Sequence, residues 1–271
     1  MKDLIKAVFE KLGYKISKIE KGNSTSTQHI VKNLFSSDSE ITVFDVGAHI
    51  GQSATFYKST YKNSNIYSFE PFPNSFELLK KLNLNNFKSF KLGLSDKKGL
   101  ESFCSNKGSP TNSLLSLSQN AKETWDGIEG LSEVGIFDCE FTTLDDFCDE
   151  NEVEFIDFLK IDVQGAEFKV LKGAHRSLNE KRIGVIQLEV ILGDTYTGQK
   201  TPGYYMGLLE NYDYKLVSVA DLSFINGELV QFDLFFKLKW MESLITMGAV
   251  NFENYCGKVL KPANHRRNFP F

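Results

Sequence analysis

Cysteine is scarce in this chain of 271 residues, and its four copies, Cys104, Cys139, Cys148 and Cys256, stand far apart with no C-x-x-C pair. That spacing excludes the common zinc motifs, and a disulfide scaffold needs a shorter, cysteine-rich chain. Buried free thiols in a reducing compartment are the expected state. No apolar run approaches the roughly 20 residues of a membrane-spanning helix. Near the start, Lys2, Asp3, Lys6, Glu10 and Lys11 interrupt the apolar pattern, unlike the continuous apolar stretch of a secretory signal. A cytoplasmic protein without a transmembrane segment is therefore expected. Positive charge is not in excess either. The net charge is −4, so nucleic acid, which needs a positive face, is not the expected partner. One basic cluster (Lys258, Lys261, His265, Arg266 and Arg267) reads as a solvated tail. Internal repeats and Pro- or Ser-rich linkers are missing as well.

What the chain does have is alternation. Leu4, Ile5, Val8, Phe9 and Leu12 predict a helix within residues 1–20, and a second short helix is expected from about His29 to Phe35. From Ile41 onward, strand-like runs alternate with helical patterns. Helices are predicted through Ile50, Ala54, Tyr57 and Tyr61, through Phe76, Leu79 and Leu82 after a Pro73-Asn74-Ser75 turn, and through Ala166, Val170, Leu171, Ala174 and Leu178. Strands are predicted at 66–69, 88–92, 155–162 and 183–191. This order implies parallel strands with helical crossovers. Residues 104–135, rich in Ser, Asn, Gly and Lys, read as a long irregular segment, a lid or a disordered stretch. Near the end, strands at 214–219 and 232–238 flank Asn226-Gly227, a strong hairpin signal.

Residues 43–51 (Val43-Phe44-Asp45-Val46-Gly47-Ala48-His49-Ile50-Gly51) end a strand in an acid and two spaced glycines. Glu70 follows Asp45 by 25 residues, after the run Ile66-Tyr67-Ser68-Phe69. An α/β sheet holds a nucleoside with such a loop. Glycines let the backbone approach and the acid accepts bonds from ribose hydroxyls. The third glycine of the dinucleotide fingerprint is absent, and D-x-G-x-x-x-G is the pattern of S-adenosylmethionine sites.

Five segments then resemble, in order, the FkbM-type methyltransferases. They are residues 43–52, Phe69-Glu70-Pro71, residues 94–99, Thr143-Leu144-Asp145-Asp146-Phe147, and residues 159–167 (Leu159-Lys160-Ile161-Asp162-Val163-Gln164-Gly165-Ala166-Glu167). The resemblance covers about residues 40–238. It implies a Rossmann-like class I methyltransferase, with a mostly parallel seven-stranded sheet and a terminal antiparallel hairpin. It also implies S-adenosyl-L-methionine as cofactor, and O-methylation of a hydroxyl on a sugar, a glycan or a related natural product. The expected organisation is an N-terminal helical extension over 1–39, the methyltransferase domain over 40–240, and a C-terminal helix and tail over 241–271. His49 stands where the family pattern usually has Asn.

The cofactor residues expected on this basis are Asp45, Gly47, Ala48, His49, Gly51, Glu70, Phe72, Leu94, Ser95 and Asp162. Asp162 ends an apolar strand, so its carboxylate should enter the crevice at the strand ends, with Lys160 on the same face. Glu189 lies in an otherwise apolar strand, an odd place for a charge without a partner or a role. Asp162, Glu189 and His49 are the catalytic candidates. Glu167 reads equally as a helix cap, and His175 as a surface histidine. Two acids without a third ligand are a weak metal signal, and no metal is expected. Trp125, Tyr196, Tyr204 and Tyr205 are candidates to stack on a sugar-like or other small-molecule acceptor. The sequence fixes no oligomeric state. Two other readings stay open: a nicotinamide-dependent oxidoreductase and a non-catalytic binding module on the same fold.

Overall fold

The computed structural model describes residues 26–125 and 131–241. The helix expected within 1–20, the tail helix through Leu244 and Ile245, and the basic C-terminal cluster lie outside the described residues. The strands are β1 (Thr42–Val46), β2 (Asn65–Phe69), β3 (Phe87–Phe90), β4 (Gly93–Leu94), β5 (Gly99–Asn106), β6 (Glu133–Thr142), β7 (Ile156–Ile161), β8 (Ile183–Ile191), β9 (Tyr214–Ile225) and β10 (Glu228–Leu238). The helices are α1 (Thr27–Val31), α2 (Gln52–Thr60), α3 (Pro73–Leu79), α4 (Ala121–Thr124), α5 (Leu144–Glu150), α6 (Glu167–Gly173), α7 (His175–Asn179) and α8 (Pro202–Asn211). Among the described residues no helix is long and apolar enough to cross a membrane.

Seven strands make the main sheet, in the order β3-β2-β1-β7-β8-β10-β9. β1 is parallel to β2 and β7, β2 to β3, and β7 to β8. β10 alone runs against its neighbours, β8 and β9. This is the class I methyltransferase sheet anticipated from the sequence. β4, β6 and β5 form a second, smaller sheet. The chain turns back between β1 and β7, so a crevice opens where their carboxyl ends diverge.

Both faces of the main sheet are covered, which explains why β8 is buried at every position except Glu189. Alternate residues feed two cores. Phe44, Val46, Leu159, Ile161, Ile186 and Leu188 join one, against α5, α6 and α8. Val43, Phe158, Val185 and Phe235 join the other, with Ala54 and Tyr57 of α2. The second face changes character along its length. Beyond that apolar row, the same parity brings Asp45, Lys160, Gln187 and Asp233 to the face. Their polar atoms are paired across the sheet: Gln187 Nε2 donates to Asp233 Oδ2 at 2.7 Å, Thr27 Oγ1 donates to the same oxygen at 2.5 Å, and Tyr57 Oη meets Gln187 Oε1 at 3.3 Å.

Several local expectations are corrected. The third strand stops at Phe90 rather than Leu92, because Gly93 and Leu94 pair with Phe141 and Thr142 in the second sheet. Residues 104–135 are not irregular throughout. They begin and end in the β5–β6 ladder, whose outer face mixes Ser102 and Asp138 with exposed Val134 and Ile136, which blurs the alternation. Pro73 is the first helical residue of α3 rather than part of a preceding turn, a position where its missing N–H costs nothing. α1 begins at Thr27, capped by Ser26, and ends at Val31. Tyr204 and Tyr205 lie in the first turns of α8, which begins at Pro202. The terminal strands are longer than expected: β9 and β10 meet at Asn226 and Gly227, whose φ values of 50° and 83° make a tight hairpin turn.

The helix expected through residues 166–178 is two helices, broken at Ala174. Asp145 of α5 explains the break. Its carboxylate accepts the backbone N–H groups of Arg176 at 2.7 Å and Ser177 at 2.9 Å, and the Ser177 hydroxyl at 2.6 Å. A side chain from another helix thus caps α7. Replacing Asp145 by Ala should cost about 2 kcal/mol and lower the thermal midpoint by roughly 4–8 °C, read by circular dichroism. Asp145→Asn should recover part of the loss.

Candidate active site

A cavity of about 490 Å³ opens at the carboxyl ends of β1, β7 and β8, within the roughly 300–1,000 Å³ of small-molecule sites. Gly47, Ala48, His49, Glu70, Lys160, Asp162, Glu189 and Gln231 reach it from the main sheet and its loops, and Leu94 from the second sheet. Thr111, Asn112, Leu114, Trp125, Leu131, Thr195 and Tyr196 close it from above.

The β1–α2 loop is shaped from inside. Gly47 N–H and Ala48 N–H both donate to the Phe69 carbonyl, at 3.1 and 3.0 Å. Gly47 has φ 78°, and a Cβ there would lie 1.8 Å from the Asp162 carbonyl oxygen. Gly51 has φ 91°, and its Cβ would lie 2.2 Å from Leu82 Cδ1. A side chain at either position would collide with protein. Gly47 borders the cavity with its backbone, and Gly51 turns the chain into α2. His49 also has a positive φ, 49°. His and Asn are both enriched in that region, so the backbone accepts either residue.

Glu70 fixes this loop. Its Oε2 accepts His49 N–H at 2.8 Å and its Oε1 accepts Phe72 N–H at 2.9 Å. Each carboxylate oxygen has a second lone pair, and Glu70 lines the cavity, so it retains capacity for a ligand's hydroxyls. Burial drives its pKa up to about 7, against the pull of those two N–H groups.

Lys160 is the centre of charge. Its ammonium is 6% exposed and lies 3.2 Å from Asp45 Oδ1, 3.3 Å from Asp162 Oδ2 and 3.0 Å from the Gly47 carbonyl oxygen. Burial alone would lower its pKa, but Asp162 and Asp45 outweigh it and hold the amine charged. Asp45 is fully buried and also meets the Ser68 hydroxyl at 3.4 Å. It braces the site from behind instead of lining it. Asp162 keeps 31% of its side chain open. Glu189 faces it, and Gln164 Nε2 bridges the two, 2.9 Å from Asp162 Oδ1 and 2.5 Å from Glu189 Oε2. Gln231 Nε2 donates to the other Glu189 oxygen at 2.6 Å. Burial raises Asp162, yet Lys160 and the hydrogen bonds leave its pKa below the usual value. Burial and the Asp162 charge both push Glu189 well above the usual range. The surroundings thus favour the ionised form of Asp162 and the protonated form of Glu189. His49 is lowered, chiefly by burial, so its imidazole is neutral there.

The other expected residues divide. Leu94 lines the cavity, whereas Ser95 is buried beneath it, its N–H on the Thr142 carbonyl. Phe72 packs with Phe103 and Phe137 and does not line the cavity. Glu167 is a brace: Oε1 accepts Val163 N–H and Gly165 N–H at 3.1 and 3.0 Å, and Oε2 accepts the Tyr205 hydroxyl at 3.3 Å. His175 is exposed beside Tyr212, away from the site. Tyr205 is buried and Tyr204 stands beside Lys200. Trp125 and Tyr196 do line the cavity. Among the described residues no group of three His, Cys, Asp or Glu side chains converges as a metal site would.

Sequence reasoning missed Gln164, Gln231 and Thr195. Gln164 lay inside a quoted motif but carried no charge to draw notice. Gln231 and Thr195 reach the site only through strand register and a loop bonded across the top. That cover is knit by backbone bonds, Ser118 N–H to the Thr195 carbonyl at 2.8 Å and Thr197 N–H to the Ser116 carbonyl at 2.9 Å. Trp125 Nε1 adds a bond to Thr195 Oγ1 at 2.6 Å.

The raised carboxyls set a pH dependence. Besides Glu70 and Glu189, burial lifts Glu167 to about 7 and Asp157 and Asp233 to about 6. The folded chain keeps protons that the unfolded chain sheds above about pH 4.5, so this stability is lost as pH rises through 6 and 7. Asp162 runs oppositely: its contribution is present above about pH 4 and lost on acidification. The melting temperature of the ligand-free protein should fall from about pH 5.5 to about pH 8, and Glu189→Gln should flatten that fall. A midpoint that rises steadily to pH 8 would contradict this proton assignment.

Comparison with known proteins places the chain in a family. The chain is 31% identical to methyltransferase sdnD of Sordaria araneosa over 192 residues, covering 59% of this chain and 71% of that one. It is 26% identical to 2-O-methyltransferase NoeI of Sinorhizobium fredii (strain NBRC 101917 / NGR234) over 176 residues, covering 63% and 72%. The crystal structure of methyltransferase FkbM from Methylobacillus flagellatus KT aligns with a TM-score of 0.44 at 15% identity, over 74% of this chain and 44% of that one, less than half of the crystallised protein. The model of the methyltransferase FkbM domain matches residues 45–216, and the chain belongs to that methyltransferase family.

Proposed function

We propose that the protein is an S-adenosylmethionine-dependent O-methyltransferase that methylates a hydroxyl of a sugar, a glycan or a related natural product. The observation that carries this reading is the meeting, in one cavity, of the Glu70-clamped β1–α2 loop and the Asp162–Glu189 pair. Glu70 is placed to receive ribose hydroxyls on its spare lone pairs. The Gly47–His49 backbone and Asp162 border the methionine end, and Leu94 lies where adenine would rest. The carboxylates around the cavity suit a sulfonium and an ammonium group. The printed name of NoeI, a 2-O-methyltransferase, supports oxygen as the methyl acceptor.

When bound, S-adenosylmethionine supplies a methyl group already activated on its sulfonium. What remains for the protein is alignment, which contributes about 7–11 kcal/mol in favourable cases, and removal of one proton. Asp162 takes the hydroxyl proton, and Glu189, held by Gln231, steadies it. Neutral His49 is the second acceptor at the same wall. The cover built from Trp125, Thr195 and Tyr196 keeps water from the reacting groups. We place the catalytic unit at residues 40–240. The free buried thiols of Cys104, Cys139 and Cys148 fit a cytoplasmic setting.

Titration calorimetry with S-adenosylhomocysteine tests the cofactor half of this reading. The protein should bind it, and Glu70→Gln should weaken binding by roughly 10- to 100-fold, the scale of a hydrogen bond to a charged group. No heat at millimolar ligand would overturn the proposal. For the acceptor half, a panel of neutral mono- and oligosaccharides should give methyl transfer that Asp162→Asn lowers by about 10²–10⁴-fold.

A further inference from the structure

Gln164 is held from three directions. It lies between Asp162 and Gly165 with φ 57°, and Gly165 follows with φ 89°. Glu167 pins the N–H groups on either side of it. From the cover, Ser113 Oγ donates to the Gln164 carbonyl at 2.7 Å. Its side-chain Oε1 lies 3.2 Å from the Tyr196 hydroxyl, and that hydroxyl is 2.8 Å from the Thr111 carbonyl. The Tyr196 ring packs on Gly165, where a Cβ would approach Cδ2 to 3.0 Å. Gln164 Nε2 then has one direction left, and it points at both Asp162 Oδ1 and Glu189 Oε2.

The donor inventory makes this arrangement selective. An amide has donors on one side and an acceptor on the other. With Oε1 toward Tyr196, both carboxyl groups receive an N–H. If the amide turned over, Asp162 would face an oxygen and lose its donor. The two carboxyl groups therefore set the amide's sense, and the Tyr196 hydroxyl, whose one proton is shared between the Thr111 carbonyl and Gln164 Oε1, joins Ser113 in linking that sense to the cover.

We propose that Gln164 is a positioning residue for methyl transfer, coupling the seating of the cover over residues 111–118 and 194–197 to the arrangement of the Asp162–Glu189 pair. This rests on reading the cavity as the methyl-transfer site. In the transfer the acceptor oxygen would bond to the methyl carbon as the carbon–sulfur bond breaks and its electron pair stays on sulfur, while the hydroxyl proton passes to the Asp162 carboxylate. With the cover displaced, Gln164 loses its clamp and the pair loses the donor that keeps Asp162 ready to accept. Charged and titratable groups face the pair from the elements around it: Lys160 from β7 with Asp45 of β1 behind it, His49 from the β1–α2 loop, Tyr57 from α2, Glu167 from α6, Tyr196 from the cover and Asp233 from β10.

The test is a carbon-13 titration of labelled Asp and Glu carboxyls in the full chain, compared with Tyr196→Phe and Gln164→Ala. Tyr196→Phe keeps the ring on Gly165 and removes only the hydroxyl. Both variants should move the Asp162 carboxyl midpoint upward by roughly one pH unit, the scale of one charge-assisted bond. In Tyr196→Phe, amide hydrogen exchange should also rise at least severalfold across residues 111–118. Calorimetry with S-adenosylhomocysteine keeps the two readings apart. Binding retained within about threefold in both variants, with the carboxyl midpoint shifted, supports the inference. Retained binding with an unmoved midpoint overturns it. Failure of the unsubstituted protein to bind overturns the cofactor reading instead.

Discussion

One buried ammonium group organises this protein. Lys160 ties the β1 carboxylate of Asp45, the turn carbonyl of Gly47 and the post-β7 carboxylate of Asp162 to a single point. Those three partners come from the two strands that diverge at the switch point of the sheet. The interaction therefore holds open the crevice that the fold provides and fixes the walls facing it. Removing one partner from such a buried pair typically costs about 3–5 kcal/mol, because the other charge is left stranded. Asp45, Lys160 and Asp162 are thus mutually dependent, and only Asp162 has surface to spare for a ligand.

The same charge divides labour among the acids. Among the described residues Glu189 has no ammonium partner of its own, and burial and the Asp162 carboxylate favour its protonated form. Glu70 and Glu167 satisfy backbone N–H groups of two neighbouring loops. Both loops contain left-handed residues, and a carboxylate beneath each holds the chain in that conformation. Carboxylates under the loops thus secure the backbone, while carboxylates at the strand ends are left for chemistry. The face of the sheet beneath them follows the same logic, apolar where α2 packs on Val43 and Phe158 and polar where Asp45, Lys160 and Gln187 approach the crevice.

How much of this was legible depended on the range of the interaction. β8 was visible because a buried parallel strand is apolar at nearly every position, which also made Glu189 conspicuous. Asn226-Gly227 announced its turn because two positive φ values are demanded there. Lys160 and Asp162 were placed together by a spacing of two in a strand. Gln164 was not legible as a site residue, because its role comes from a hydroxyl 32 residues away and from a left-handed backbone. The lid over residues 104–135 hid its strands because their outer face carries both polar and apolar side chains. The break at Ala174 was invisible because its cause, Asp145, lies on another helix.

The sequence by itself determined the alternating α/β order, the terminal hairpin, the acid-bearing loop and the family motifs, since these follow from local periodicity and short-range spacing. Tertiary structure alone decided what each site residue does. It turned Gly47 and Gly51 toward protein, sent Asp45 and Glu167 behind the cavity as braces, and brought Glu189, Gln231, Thr195 and Tyr196 to the same cavity as Asp162. The physical reason is that a side chain's role here rests on its burial and on the sign of its nearest charge. Both are properties of the packed sheet and its cover, not of neighbours along the chain.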